Sequence, residues 1–153
     1  MKSCSITGNG YGPGSRTRLR GLETGDMLVF ERMLRRVVTQ IMSYHDLGNE
    51  PEKVYHALVL GMLVWMSGKY DIRSNRESGY GRYDVLLCPK DPSRHGIVIE
   101  FKRVYQDEAP DDVLEEALQQ IQERRYATEL EAAGIQQIIT LAIAFQGKRL
   151  WMR

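Results

Sequence analysis

The pattern of apolar and polar positions is most informative in the segment HGIVIEFKRV, which spans residues 95–104. The odd positions from 97 to 101 are apolar, whereas the even positions are Val98, Glu100 and Lys102. Successive side chains of a strand point to opposite faces, so one face is apolar and the other becomes charged only at its end. Charges at the end of a mostly buried strand are unfavourable unless they are paired or bind a ligand. The pattern therefore predicts a buried strand with Glu100 and Lys102 side by side.

Elsewhere the chain divides into segments with helical periodicity and segments with strand composition. Apolar residues at helical spacing predict three helices, of which the second is apolar on nearly all sides and is expected to be buried, with Trp65 in the core. Short apolar runs bounded by turn residues predict the strands. We expect helices over 26–44, 51–68 and 111–134, and strands over 70–75, 83–88, 97–104, 136–145 and 149–152. The order α-α-β-β-β-α-β-β predicts an α/β fold with a central mixed sheet flanked by helices.

Composition sets limits on these interpretations. The 153 residues, 42% hydrophobic and 27% charged, are typical of one globular domain, and the formal net charge of +1 provides no general attraction to a polyanion. Residues 1–25 are rich in Gly, Ser and Arg and predict a flexible lead-in to a folded domain over 26–153. The longest apolar stretch, 57–66, is too short to span a bilayer, and Cys4 and Cys88 have neither metal nor disulfide spacing. We therefore expect a soluble cytoplasmic protein that does not bind a membrane.

Acidic side chains recur close to the charged strand. Asp84 lies near the start of the preceding strand, and in a hairpin it would face Glu100 across the sheet, close enough for both carboxylates to bind one cation. Glu52 opens the second helix and offers a third carboxylate. Two or three carboxylates with phosphate oxygens and water match the octahedral preference of Mg²⁺. Lys102 adds a compact positive charge that can hold a phosphate or orient an attacking water.

Asp84 and the Glu-Phe-Lys run at 100–102 resemble the signature of the PD-(D/E)xK nuclease superfamily, in which an acid on one strand is followed by acid-x-Lys on the next. Glu52 matches the acid that many members carry in the preceding helix. The strings EKVYHALVLGML, SNRESGYGRYDVLL, IEFK, ALQQIQERRY and AFQGK are similar to a bacterial branch whose nuclease-like domain commonly follows an ATPase-like domain. The resemblance covers roughly 26–151 and departs from the signature where Tyr83 replaces the proline.

This resemblance implies a restriction-endonuclease-like core that hydrolyses phosphodiester bonds with a metal-activated water and no covalent intermediate. Asp84 and Glu100 would be metal ligands, and Lys102 would be the catalytic lysine. Glu52 would be a further ligand or a partner of metal-bound water. Mg²⁺ is the implied ion, with Mn²⁺ able to substitute. The implied partners are nucleic acid, with DNA favoured, a second copy of the chain in a homodimer, and an ATPase-like domain or subunit.

Further side chains around these acids are candidates for substrate contacts. Three arginines flank the site in sequence and are suited to holding phosphates: Arg73, Arg76 and Arg82. Glu77 lies between two of them, so a structural salt-bridge cluster is nearly as well supported. By resemblance, Gln120 or Gln122 together with Tyr126 forms a Gln/Tyr element that supports the site or contacts DNA.

Simpler interpretations stay open for several of these residues. Glu100 and Lys102 are also compatible with a same-face ion pair at a strand end, and Glu52 with a first-turn residue favoured by the helix dipole. His56 is favoured as a packed core residue over a catalytic one, and Tyr105 as a packing residue over one that stacks on a base. The alternative function is a module of the same fold that binds nucleic acid or a protein partner without catalysis.

Overall fold

The computed structural model describes residues 27–40, 42–43, 45 and 48–153. The helices are α1 Met27–Gln40, α2 Pro51–Leu63, α3 Pro110–Glu123 and α4 Thr128–Ala132, and a 3₁₀ turn, Val64–Met66, continues α2. The strands are β1 Tyr70–Ser74, β2 Glu77–Ser78, β3 Gly81–Arg82, β4 Val85–Pro89, β5 Gly96–Arg103, β6 Ile138–Gln146 and β7 Arg149–Met152. The lead-in expected at 1–25 lies outside the described residues, so it stays a prediction.

Five strands form a mixed sheet in the order β1-β4-β5-β6-β7. β4 pairs antiparallel with both β1 and β5, whereas β6 runs parallel to β5 and antiparallel to β7. The parallel step requires a long crossover, which α3 and α4 provide between β5 and β6. β5 is the central strand and is buried along all but its last two residues. The sheet with its flanking helices agrees with the α/β fold predicted from the sequence.

The alternation along β5 separates two cores. Its odd positions, Ile97, Ile99 and Phe101, pack in one cluster with side chains of α1 and α2 that include Phe30 and Tyr55. The large apolar side chains on this face are buried against α1 and α2. The apolar half of the strand pattern therefore accounts for the position of the two N-terminal helices.

The other face of β5 is covered by α3, α4 and the segments around them. Val98 packs there with Ile121 and Tyr126. The β6 partners of Glu100 and Lys102 are both alanines, Ala142 and Ala144, and they pack against Val113, Leu114 and Ala117 of α3. Small side chains in this position let α3 approach the sheet closely, which brings its polar side chains within reach of the charged end of β5.

The second helix is less buried than its composition suggests. Tyr55, Val59 and Leu63 are buried at a spacing of four residues, so a single stripe of α2 faces the sheet. Val64 and Trp65, which follow it, are 62% and 63% exposed. The expectation that Trp65 belongs to the core is therefore wrong, because a helix lying on one sheet face buries only one side. Neither α2 nor any other helix in the described part of the chain is long and apolar enough to cross a membrane.

The single helix predicted over 111–134 is two helices in the structure. α3 ends at Glu123 and α4 begins at Thr128, and between them Arg125 has a left-handed φ of 53°. This conformation is unfavourable for a residue with a long side chain, so the surrounding structure must stabilise the turn. Gly134, predicted to end the helix, follows α4 with a φ of 79°.

The hairpin formed by β2 and β3 provides that stabilisation. The N–H of Tyr80 donates to the carbonyl of Arg124 at 2.7 Å. The hydroxyl of Ser78 donates to the carbonyl of Tyr126 at 3.1 Å. Gly79, with a φ of 62°, lies so close that a Cβ atom would be 2.2 Å from the Arg124 carbonyl oxygen. The segment, whose composition predicts only a turn, is therefore a short hairpin that fixes the helix break and with it Tyr126.

The substitution Gly79→Ala should lower the free energy of unfolding by about 2–4 kcal/mol, because the methyl group must displace a backbone carbonyl while the residue adopts a left-handed conformation. Urea denaturation followed by circular dichroism measures the loss. Gly134→Ala is the matched control, since its φ is 79° but no atom lies within 4 Å of the added methyl group. Its expected cost is about 1 kcal/mol. Equal losses for the two variants would contradict the close contact at Gly79.

Candidate active site

Asp84 and Glu100 come together because β4 and β5 are antiparallel neighbours. Val85 pairs with Ile99, and continuing this register by one residue places Asp84 opposite Glu100, as the hairpin interpretation predicts. Residues opposite one another in a sheet share a face. Lys102 lies two residues further along β5 on the same face, with its Nζ 4.0 Å from Oε1 of Glu100. An acid from one strand and an acid and a base from the next therefore meet at one edge of the buried sheet.

Asp84 is held through both its side chain and its backbone. Its Oδ2 accepts a hydrogen bond from the N–H of Phe101 at 2.8 Å. Its carbonyl oxygen accepts from the N–H of Asn75 at 3.0 Å and lies 3.1 Å from Nε2 of His56, which is also 3.1 Å from Oγ of Ser74. A carbonyl oxygen can only accept, so the contact assigns a proton to this Nε2. His56 therefore anchors the backbone of Asp84 from a half-buried position, with its ring edge-on to Phe101.

Gln120 of α3 connects the charged groups on β5. Its Oε1 accepts from Nζ of Lys102 at 2.6 Å, and its Nε2 donates to Oε1 of Glu100 at 2.6 Å. The same Nε2 donates to the hydroxyl of Tyr126 at 3.1 Å. Because an ammonium group can only donate, the Lys102 contact fixes the orientation of the amide. Gln120 thus sets the positions of the lysine and the glutamate relative to each other.

Burial dominates the electrostatics of the two carboxyl groups. Glu100 is only 4% exposed, and this burial raises its pKa to about 8, with the nearby charge of Asp84 adding to the rise and the ammonium of Lys102 opposing it. Burial also raises the pKa of Asp84, against the stabilising hydrogen bond from the N–H of Phe101. The ionised form of each carboxyl group is therefore disfavoured in the metal-free protein, and a cation bound between the two groups would favour the ionised form of both.

Glu52 does not complete a cluster of three carboxylates. It lies in the first turn of α2 on an exposed position, and its negative charge raises the pKa of both Asp84 and Glu100. Within the residues that the structure describes, no three or more His, Cys, Asp or Glu side chains are grouped so that they could hold a metal ion. The carboxylates brought together are Asp84 and Glu100, because Glu52 extends from a solvent-facing helix position and acts on them through its charge.

One oxygen of Glu100 indicates where a cation would fit. Oε1 binds Gln120, but Oε2 is buried and accepts no hydrogen bond of ordinary distance and angle among the described residues, although the backbone N–H of Asp84 lies near this carboxyl group. A buried polar atom without a partner costs about 1–3 kcal/mol. A divalent cation shared with Asp84 would satisfy this oxygen and stabilise both ionised carboxyl groups. The donors are carboxylate oxygens, which Mg²⁺ prefers, so the residues fit such an ion.

The arginines considered for substrate binding lie in different environments. Arg73 forms an ion pair with Glu129 of α4 and is only partly exposed. Arg73 is therefore part of a structural cluster, although its partner is Glu129 and not Glu77. Arg76 and Arg82 are exposed, and both remain open to a substrate contact.

The structure separates the residues of the predicted Gln/Tyr element. Gln120 faces the sheet and meets Glu100, whereas Gln122 is exposed on the opposite side of α3. Tyr126 is buried and its hydroxyl accepts a hydrogen bond from the amide of Gln120, so it occupies a supporting position. Of the two glutamines between which the sequence could not choose, Gln120 is therefore the one that lies at the carboxyl groups.

Some of the supporting residues were not identified from the sequence. The hydroxyl of Tyr83 donates to Oε2 of Glu129 at 3.0 Å, and burial together with this hydrogen bond raises the pKa of Tyr83 to about 12. Tyr83 stands where the signature has a proline. The residue that departs from the signature therefore links the start of β4 to α4 through its hydrogen bond with Glu129.

The β2–β3 hairpin was also not predicted, although the spacing of Gly79 and Gly81 was a signal for it in the sequence. A Cβ at Gly81 would lie 3.1 Å from the ring of Tyr126.

A family model described as the PD-(D/E)XK nuclease superfamily matches residues 50–153, more than half of the chain. The chain belongs to this superfamily. The match confirms the resemblance read from Asp84 and the run at 100–102, and the five-stranded mixed sheet flanked by helices is consistent with its restriction-endonuclease-like fold. A comparison with curated proteins gave no significant match. The assignment to a bacterial branch with an ATPase-like domain, and the domain start at residue 26, stay predictions.

The raised pKa of Glu100 should make this nuclease-superfamily domain less stable as the pH increases. Its pKa rises from the usual 4.5 to about 8, so the folded state binds a proton that the unfolded state has already lost between these values. The stabilising contribution is complete below about pH 4.5 and is lost as the pH rises to about 8. We expect a slope of up to about 1.4 kcal/mol per pH unit in metal-free protein. Urea denaturation in EDTA across this pH range measures it.

Two comparisons make this measurement specific. Glu100→Gln removes the titrating group at nearly constant shape and should flatten the slope, whereas Asp71→Asn, an exposed acid on β1, should leave it unchanged. Adding Mn²⁺ should stabilise the protein most at high pH, where the carboxyl groups are ionised. A wild-type slope that persists in Glu100→Gln would contradict the assignment of the proton to Glu100.

Proposed function

We propose that the protein is a metal-dependent nuclease that hydrolyses the phosphodiester bonds of DNA. The superfamily membership supports the reaction class, and the observation that carries the proposal is the unpartnered, buried Oε2 of Glu100 beside Asp84 and Lys102. A structural ion pair alone would explain the contact between Glu100 and Lys102. It would not explain why a carboxyl oxygen is left without a partner next to a second, half-buried carboxyl group.

In this proposal Asp84 and Glu100 hold the cation, with Mg²⁺ as the native ion and Mn²⁺ as a substitute. The bound ion would polarise the scissile phosphate and lower the pKa of a water nucleophile. Asp84 is suited to this role because the N–H of Phe101 and the contacts to its carbonyl oxygen fix it in place. Glu52 contributes its negative charge to the same region, which increases the affinity for a dication.

In this proposal Lys102 binds the scissile phosphate or orients the attacking water. Its ammonium has three donors, and Gln120 accepts one of them at 2.6 Å. The side chain is 25% exposed, so the ammonium lies at the boundary between the buried carboxylates and solvent. From this position it can bind a phosphate oxygen and compensate the negative charge that develops on the reacting group. The neutral amide of Gln120 keeps it aligned without removing its charge.

The first test is cleavage of linear, nicked and branched DNA by purified protein with Mg²⁺ or Mn²⁺. Asp84→Asn, Glu100→Gln and Lys102→Ala should each lower the rate by about 100-fold or more, because each removes a group that acts on the reacting phosphate or its cation. Asp71→Asn and Lys90→Ala are the matched controls, since they remove one negative and one positive charge, respectively, from exposed positions. Both variants should retain full activity.

Two results would contradict this assignment. Cleavage unaffected by Asp84→Asn or Lys102→Ala would remove these residues from the reaction. Binding of DNA without turnover at any concentration of either metal would instead support the alternative of a binding module on the same fold. Circular dichroism of each variant establishes that a lost rate does not arise from unfolding.

A second prediction concerns the affinity for Mn²⁺, which should increase with pH. Glu100 must lose its proton to bind the ion, and its pKa is about 8. Below that value the affinity should rise by about tenfold per pH unit, because one proton is released for each ion bound. Isothermal titration calorimetry between pH 6 and pH 8, in buffers of different ionisation enthalpy, measures the affinity and counts the protons. A flat affinity would exclude Glu100 as a ligand.

A further inference from the structure

An open groove lies beyond the end of β5, where Lys102 is located. It has a volume of about 790 Å³, follows the ends of β5 and β6 and the start of β7, and is also lined by Gly48 and Pro51. β5 leads directly into it, since Arg103, Val104 and Tyr105 line the groove immediately after Lys102. The three residues from Arg103 to Tyr105 span at most about 10 Å, so the groove begins within one or two nucleotides of a phosphate held at Lys102.

Exposed aromatic and cationic side chains characterise this groove. The ring of Tyr105 is 57% exposed, and the guanidinium carbon of Arg103 lies 5.1 Å from its centroid. Arg149 also lines the groove, and its guanidinium carbon lies 5.8 Å from the ring centroid of Trp151. In the described part of the chain, neither Arg103 nor Arg149 has a carboxylate partner within salt-bridge distance. Their charges are therefore available to a ligand.

The loop that carries Tyr105 is held in a defined shape. The N–H of Tyr105 donates to Oε2 of Glu108 at 2.8 Å, and the N–H of Glu108 donates back to the carbonyl of Tyr105 at 3.2 Å. These two hydrogen bonds fix the backbone at Tyr105, and they also use the carboxylate of Glu108. An exposed ring on a fixed backbone is suited to stacking, because little backbone freedom is lost on binding.

We propose that this groove binds an unpaired segment of the nucleic-acid strand that adjoins the scissile phosphate. A base would stack on the ring of Tyr105, and the backbone phosphates would contact Arg103 and Arg149. An exposed ring can stack on a base only where the base face is free, which excludes the interior of a duplex. This inference rests on the proposed nuclease function and specifies its substrate as DNA with single-stranded character at the cleavage point.

Binding in EDTA tests the proposal without turnover. Fluorescence anisotropy compares a short fluorescein-labelled oligothymidylate with a blunt duplex of the same length. Tyr105→Ala should weaken single-strand binding by about tenfold or more, whereas Tyr105→Phe should stay close to wild type because it keeps the ring. Arg149→Ala should weaken binding several-fold and make its salt dependence shallower. An oligonucleotide containing 2-aminopurine should lose fluorescence on binding wild type but not Tyr105→Ala.

Matched controls separate the groove from general surface effects. Trp65→Ala removes a comparably exposed aromatic ring, and Lys90→Ala removes an exposed positive charge, both away from the groove. Both variants should bind like wild type. Wild-type affinity of Tyr105→Ala for the single strand would overturn the proposal, and so would an equal loss of affinity for the duplex.

These results are distinguishable from a failure of the nuclease proposal. Tyr105-dependent binding to single strands in a protein that never cleaves DNA would refute the nuclease and leave the groove assignment standing. Cleavage that depends on Lys102, together with binding that ignores Tyr105, would refute the groove assignment and leave the nuclease.

Discussion

The amide of Gln120 is the interaction on which the arrangement of the site depends. It is a neutral group that accepts from an ammonium on one side and donates to a carboxyl group on the other, so it holds Lys102 and Glu100 together at hydrogen-bond distance. A direct, close ion pair would neutralise both charges, whereas the observed separation of 4.0 Å leaves each able to act on a ligand. The hydroxyl of Tyr126 and the β2–β3 hairpin beneath it hold the amide in turn.

The supporting structure extends outward from this amide in layers. The alanines of β6 let α3 pack closely enough for Gln120 to reach β5. The break after α3 turns Tyr126 inward, and Gly79 lets the hairpin close over that break. Each layer consists of ordinary packing or hydrogen bonds. Together they hold the buried Glu100 in a position where its Oε2 accepts no hydrogen bond of ordinary distance and angle among the described residues. The stability lost at Glu100 is offset by the well-packed cores on both faces of the sheet.

The sequence predicted those features that depend on local periodicity. The parity of β5 was sufficient to place Glu100 and Lys102 on one face, and the hairpin with β4 placed Asp84 opposite. What it could not predict depends on contacts between distant segments. The break in the long helix depends on contacts with a hairpin that lies about 45 residues earlier in the chain. Trp65 is exposed because only one side of α2 and the turn after it faces the sheet. Glu52 was grouped with the other acids through the family resemblance, and its exposure in the first turn of α2 depends on how that helix lies on the sheet.

The strict alternation in β5 has a consequence for how this chain can vary. Its two faces serve different purposes, since one is an apolar core surface and the other carries the charged pair. Deleting or inserting a single residue within the strand would exchange the faces, placing a carboxylate among aromatic and aliphatic side chains and a phenyl ring beside Gln120. A change of one residue within the strand is therefore costly unless a bulge absorbs it. Length variation among related chains should be confined to the loops before and after β5, where an added residue does not change which side chains of the strand point to each face.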